Sequence, residues 1–309
     1  MSIGAPETIG APDAIRYEVV HRTAYVYDDD VVAGYNVAHL VPRATAQQSC
    51  LRSIVTIDPA PDDLRERADA YGNRMTWFSV QAPHRELVVT ATSDVEVRAP
   101  GHGALAGHDA GTVAWEDAVA ALVDDPDADA LDAREFVLES PMVGRHAGLD
   151  DLARAAFAPG RPLVEAAGDL MGRIHREIAY VPGSTSIATP LATVLEDKRG
   201  VCQDLAHLMV GCLRAVGLPA RYVSGYLETD PAPGQAKLMG ADASHAWASL
   251  FVPGAGWVPF DPTNDQIPDQ RYIVTAWGRD YGDVAPIKGV VFSEAAAHDL
   301  TVSVDVIRR

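Results

Sequence analysis

Residues Arg199 to Tyr226 read RGVCQDLAHLMVGCLRAVGLPARYVSGY: a glycine turn, a helix opening at Cys202, a second break at Gly217 to Pro219, and a strand. Leu205, Leu208, Met209, Cys212, Leu213 and Val216 recur at helical spacing, which predicts an amphipathic helix. Steps of three and seven residues put Cys202 on the face of Leu205 and Met209, with Asp204 and His207 on other sides. A thiol in the first turn points into the fold at the positive end of the helix dipole, which favours the thiolate, its nucleophilic form. Gly200, lacking a Cβ, would let the backbone come close to a substrate. A Cys on an apolar face is nevertheless ordinarily a small core residue, so this helix alone does not make Cys202 a nucleophile.

The rest of the composition narrows the field. With 309 residues, 48% of them hydrophobic, the chain can bury a sizeable core and is long enough for two domains. A formal charge of −18 repels phosphate backbones and anionic lipid surfaces, so neither nucleic acid nor membrane is an expected partner. Three cysteines, Cys50, Cys202 and Cys212, give no disulfide framework and no metal-ligand spacing. Cys202 and Cys212 on one helix are separated by about 15 Å of rise, too far to bridge. The stretch MSIGAPETIGAPDA has no basic start and no apolar centre, so no signal peptide is expected, and no run approaches membrane-spanning length. Cytoplasmic is the expected location, with no cofactor and no metal.

Along the chain, residues 1–13 are Gly/Pro/Ala-rich and read as a flexible tail. Over 14–98 the period is two: Tyr17, Val19, Tyr25 and Tyr27 alternate with polar residues, and Ile54 to Ile57 and Leu87 to Thr90 are β-rich. Breaks at Asp28-Asp29-Asp30, Asp58 to Pro61 and Tyr71-Gly72-Asn73 predict an all-β sandwich-like domain or partial barrel of short strands, in which His39 and Cys50 are structural. Residues 99–160 read as a connector, with a loop from Gly101 to Gly111, a helix broken at Asp124 to Asp127, and a short element at Glu135 to Leu138. Over 161–270 the pattern turns mixed α+β. A helix opens at Pro162, with Leu163, Ala166, Ala167, Leu170, Ile174 and Ile178 as its buried stripe, and ends near Tyr180. A loop and a short helix through Leu195 lead into the Cys202 helix, which the strand Ala220 to Leu227 follows. The loop from Asp230 to Asp242 is long enough to act as a flap. Residues 271–309 hold strand-like runs that extend the sheets and could pair back with the N-terminal domain.

His245 then begins a strand, and Trp257 to Asp261 is its return. Pro253 is the midpoint between His245 and Asp261. An odd-numbered turn centred there makes the two side chains cross-strand neighbours on one face, whereas a four-residue turn puts them on opposite faces unless a bulge intervenes. A Cys at a helix start with a His and an Asp on a hairpin supplies three roles. The imidazole takes the thiol proton, the carboxylate holds the ring in one tautomer, and the N–H of Cys202 can donate to an oxyanion. A second donor is needed, and Gln203 and Tyr180 are the candidates. Trp247 and Trp257 read as core residues, though either could wall an acyl site.

The stretches GVCQDLAHL, GLPARYVSGY, ASHAWASLFVPGAGWVPFDPTN and GRDYGDVAPIKG, with YVPGSTS ahead of the Cys, resemble the bacterial branch of the transglutaminase-like superfamily. The region from RYEVVHRTAYVYDDDV to about Val97 is similar to the β-domain that precedes the core in that branch. The resemblance implies a papain-like α+β core, with Cys202 as nucleophile, His245 as general base and acid, and Asp261 as orienting carboxylate, acting through a thioester. Leu205 stands where an aromatic would be expected after CQD, a difference of packing and not of chemistry.

Three functions follow. A cysteine peptidase or amidase would resolve the thioester with water, acting on a peptide or protein amide. A transglutaminase would resolve it with an amine. A non-catalytic binding module could share the scaffold, but need not keep Cys202, His245 and Asp261 together. The absence of a calcium-loop pattern tips the sequence toward hydrolysis.

Overall fold

The structure, a computed structural model, describes residues 14–99, 112–124, 126–229, 243–294 and 297–309. The expected tail at 1–13, the loop from Gly101 to Gly111 and the flap from Asp230 to Asp242 lie outside the described residues.

The N-terminal strands are β1 (Ala14–Ala38), β2 (Gln48–Asp58), β3 (Asp63–Ala68), β4 (Arg74–Val80) and β5 (His84–Arg98). β1 alternates buried Tyr17, Val19, His21 and Thr23 with more exposed positions, as a half-buried strand must. It does not stop at the Asp28 to Asp30 break. It runs for 25 residues, and its ladder with β5 breaks register after Val26 and resumes at Val31 opposite His84. Carboxylates on the outer side of a bulge stay solvated, and Arg85 pairs with Asp29 and Asp30 at 2.8 and 2.7 Å, so nothing there forces the strand to end. The sandwich-like layers are two halves of one continuous sheet of order β2-β5-β1-β4-β3. The halves face each other, with Phe78 and Val80 of β4 in one cluster with Leu87, Val89 and Ala91 of β5.

Helices α1 (Trp115–Asp124), α2 (Ala128–Arg134) and α3 (Ala147–Ala156) follow, with a 3-10 turn at Glu135–Val137. The stretch read as a connector thus contributes core: Ala118, Leu149, Leu152 and Phe157 belong to the same cluster as the Cys202 helix. Next come α4 (Leu163–Glu177), the short strand β6 (Ala179–Tyr180), α5 (Leu191–Asp197), β7 (Arg199–Gly200) and α6 (Cys202–Ala215). Pro162 is the residue capping α4 instead of its first helical residue, and the helix ends at Glu177, because Ala179 and Tyr180 pair in parallel with Arg199 and Gly200.

α6 is buried all round, not along one stripe: Asp204, His207 and Arg214 are as enclosed as Leu205 and Leu208. It lies between α3, α4 and α5 on one side and the sheet on the other, so every face meets protein. Each large apolar side chain so buried contributes roughly 1.5–3 kcal/mol. Its polar residues are individually satisfied; Arg214 donates to the carbonyls of Phe136, Ala220 and Arg279 at 2.8, 2.8 and 2.7 Å. The helix ends before Gly217, whose φ of 83° only glycine adopts freely.

The sheet beside α6 comprises β8 (Ala220–Leu227), β9 (Ala243–Val252), β10 (Gly256–Phe260) and β11 (Tyr272–Gly278), in the order β10-β9-β8-β11. After α7 (Tyr281–Val284), β12 (Ile287–Ser293) and β13 (His298–Arg308) both return to β1. The exposed edge of β11 is covered by two side-chain amides of the N-terminal domain. Gln48 exchanges hydrogen bonds with both backbone groups of Val274, each at 2.8 Å, and Asn73 does the same for Trp277 at 2.8 and 2.9 Å. They stand in for a neighbouring strand and leave no open edge there.

Candidate active site

Cys202 is the first helical residue of α6. The turn that presents it is locked by Asp204, only 1% exposed, whose Oδ2 accepts from the Val201 N–H at 2.8 Å and from Thr185 Oγ1 at 2.6 Å. Gly200 serves this lock. A Cβ on it would lie 2.8 Å from the Cβ of Asp204. Cys202 itself is half-buried against the main core, and its N–H lies at the start of the helix, where backbone donors have no intrahelical partner.

The hairpin that carries the other two residues turns on three residues, Pro253 to Ala255, and is centred on Gly254, not on Pro253. Gly256 pairs with Val252 and Phe260 with Ala248, a register that makes Asp261 a diagonal neighbour of His245 on the same face, one residue past the end of β10. The odd turn expected from the sequence is present, while the direct cross-strand pairing is not.

Asp261 reaches His245 because a cradle aims it. Its Oδ1 accepts from the N–H groups of Thr263 and Asn264 at 2.9 and 3.3 Å, closing the turn. Its Oδ2 accepts from Asn264 Nδ2 at 2.7 Å and from the Tyr272 hydroxyl at 2.6 Å, and meets His245 Nε2 at 2.8 Å. Gln266 in turn donates to the Tyr272 oxygen. Asp261 is fully buried, which favours its neutral form, yet His245, Tyr272 and Asn264 hold its carboxyl below the usual range.

Burial would likewise pull His245 down. The hydrogen bond to Asp261 and the neighbouring thiol of Cys202 outweigh that and lift it to about 9. Since Asp261 occupies Nε2, the nitrogen left for the thiol is Nδ1. Asp261 thus holds one edge of the His245 ring while the Cys202 thiol is near enough to shift it, an arrangement able to move a proton off sulfur and to hold the resulting imidazolium.

The flanking candidates divide. Tyr180 is half-exposed, and its phenol is raised first by burial and then by the charge of Cys202. Gln203 turns its amide toward the Ile187 carbonyl at 3.4 Å. Trp247, 2% exposed, packs behind the reactive ring, 6.0 Å from His245 and edge-on to Tyr272 at 5.3 Å. It backs the imidazole. Burial pushes the thiol of Cys212 up and keeps it protonated. Sequence reasoning missed Tyr272, Asn264, Asp204 and Thr185. The Asp-Pro-Thr-Asn turn could have suggested Asn264; nothing near Tyr272 in sequence marks it.

Residues 17–96 match the family described as the bacterial transglutaminase-like N-terminal region, and residues 150–262 match the transglutaminase-like superfamily. An uncharacterized protein of Mycobacterium tuberculosis strain H37Rv is 44% identical over 296 residues, covering 94% of this chain and 92% of its own length. A protein-glutamine gamma-glutamyltransferase of Pseudomonas aeruginosa is 35% identical over 140 residues, 43% of this chain and 20% of that protein. Among solved structures, a proposed cysteine protease from Cytophaga hutchinsonii superposes with a TM-score of 0.71 at 20% identity, over 94% of this chain and 91% of that one. That likeness is one of fold.

Proposed function

We propose, on the premise that this chain belongs to the transglutaminase-like superfamily, that it is a thiol-dependent amide-bond hydrolase acting through a thioester on Cys202. The observation that carries the reading is the 2.8 Å hydrogen bond from His245 to the buried Asp261, on a ring whose pKa the Cys202 thiol also raises. In this reading His245 Nδ1 takes the thiol proton and the sulfur attacks the amide carbonyl carbon. As the C–S bond forms, the carbonyl electron pair moves to oxygen, where the Cys202 N–H and the Tyr180 hydroxyl donate to it. The imidazolium gives its proton to the departing nitrogen and the C–N bond breaks, leaving the thioester. Water, deprotonated by His245, then attacks the same carbon and the C–S bond breaks. Asp261 keeps one tautomer throughout and stabilises the imidazolium without taking its proton.

A second reading replaces water by a primary amine, giving net acyl transfer. Its support is the glutamyltransferase name of the Pseudomonas relative, whose similarity covers 43% of this chain. The two differ only in what reaches the thioester.

Iodoacetamide labelling at mildly acidic pH tests the shared step. Cys202 should react faster than a free thiol, and equal rates would sink the reading. Ammonia release or chain cleavage from Gln-containing peptides, with and without a labelled primary amine, tests the outcome. Product without label incorporation supports hydrolysis; incorporation lost in Cys202→Ala supports transfer.

A further inference from the structure

Away from Cys202, a cavity of about 690 Å³ opens between the N-terminal domain, α2 and the sheet face formed by β8, β9 and β10. Its volume is that of a small-molecule site. Arg221 of β8 lines it and is only 9% exposed. Its guanidinium lies 3.6 Å from the ring centre of Trp277 and 4.3 Å from that of Trp257, stacked between the two. Those stacks offset part of the cost of burying the cation but accept none of its N–H groups. Among the described residues no carboxylate lies within ion-pair distance of it, and its Nε has no acceptor.

Arg214, equally buried, shows what a structural arginine looks like in this fold: three carbonyls and the Ser140 hydroxyl receive its donors. Arg221 has the stacking without the acceptors, and burial together with the Arg43 charge disfavours its cation. An anion arriving in the cavity would relieve both. Elsewhere on the lining, at the solvent side, stand the exposed Asp129, Asp132 and Glu135. The cavity thus brings a buried cation, exposed carboxylates and aromatic walls around one space.

We propose that this cavity binds a small zwitterion of the amino-acid or dipeptide class, its carboxylate on Arg221, its ammonium at Asp129, Asp132 and Glu135, and its apolar body against Trp257 and Trp277. The cavity is not lined by Cys202, and Trp247, which does line it, packs 6.0 Å from His245. Binding there does not depend on the amide-hydrolase reading.

The test is titration of the full chain, by calorimetry and tryptophan fluorescence, with a panel of free amino acids and glycyl dipeptides. Leucine, N-acetylleucine and leucinamide form the diagnostic set. Saturable binding by a member of the panel is expected, with an indole signal because Trp247, Trp257 and Trp277 all line the cavity. Blocking either charged end should weaken it by about tenfold or more. Arg221→Met should abolish binding while its melting temperature holds or rises, since the variant removes an unpaired buried charge. Should Arg221→Met unfold, Asp132→Asn and Glu135→Gln on the exposed lining carry the test, each weakening zwitterions but not N-acetylleucine. Absence of saturable binding by the whole panel overturns the proposal. So does binding that survives in folded Arg221→Met, or N-acetylleucine binding as tightly as leucine.

Discussion

His245 Nε2 and Asp261 Oδ2 stand 2.8 Å apart although the two residues are diagonal, not paired, across their hairpin. The carboxylate spans that offset because it sits one residue beyond β10, in a turn whose N–H groups fix one oxygen while Tyr272 and Asn264 fix the other. A strand position would have pointed the same side chain perpendicular to the sheet.

Tyr272→Phe should therefore act through Asp261. Losing the hydroxyl removes one donor from a fully buried carboxylate, a loss of about 1–2 kcal/mol at that atom. The fold should remain, and kcat/KM on an amide substrate should fall by roughly tenfold. A rate unchanged within error would mean that the cradle does not position Asp261.

The raised His245 gives the pH dependence a direction. Its imidazolium persists up to about 9, so activity that needs the charged ring should decline as pH rises through that value. Stability follows the same sign. The folded value lies above the unfolded one of about 6.5, so this stabilisation is complete below about 6.5 and is lost as pH rises through about 9. Urea midpoints for the wild type and His245→Gln should accordingly be farther apart near pH 6 than near pH 10.

Gly200→Ala should loosen the turn ahead of Cys202. The new Cβ would meet the Cβ of Asp204 at 2.8 Å, backbone-anchored on both sides. A cost of about 1–3 kcal/mol is expected, read as a lower melting temperature. Iodoacetamide reactivity of Cys202 should fall in parallel, because the same shift displaces Asp204 from the Val201 N–H.

At the domain seam, Gln48→Ala would leave the N–H and carbonyl of Val274 without their amide partners. The carbonyl keeps the Arg43 N–H at 3.2 Å, but the N–H loses its acceptor, at a cost of about 1–3 kcal/mol. Chemical denaturation should show that loss while activity at low temperature stays near wild type, since Gln48 lies away from Cys202.

Much of this was legible along the chain. The Cys202 helix and the strand from Ala220 to Leu227 have the bounds that periodicity and the Gly217 to Pro219 break define. Cys202, His245 and Asp261 were identifiable as a set because a helix start and a hairpin are local objects. What periodicity hid was the environment of each element. It marked one stripe of α6 as apolar, whereas four neighbours bury it from Asp204 to Arg214, and the polar faces are satisfied by Thr185, Tyr281 and distant carbonyls. It read Asp28 to Asp30 as an end, whereas a strand can bulge where its carboxylates remain in water and Arg85 pairs with them.

By itself, then, the sequence determined most of the helices and strands and the residues on which the proposed chemistry rests, since helical and strand spacing and turn residues act within a few positions. Only the tertiary structure decided the hairpin register centred on Gly254, the Tyr272 and Asn264 cradle, the return of β12 and β13 to β1, and the stacked Arg221 beside its cavity. Each of these joins groups far apart in sequence or hangs on a one-residue choice of register. Such contacts are selected by packing and hydrogen-bond satisfaction in the folded chain, which no local pattern records.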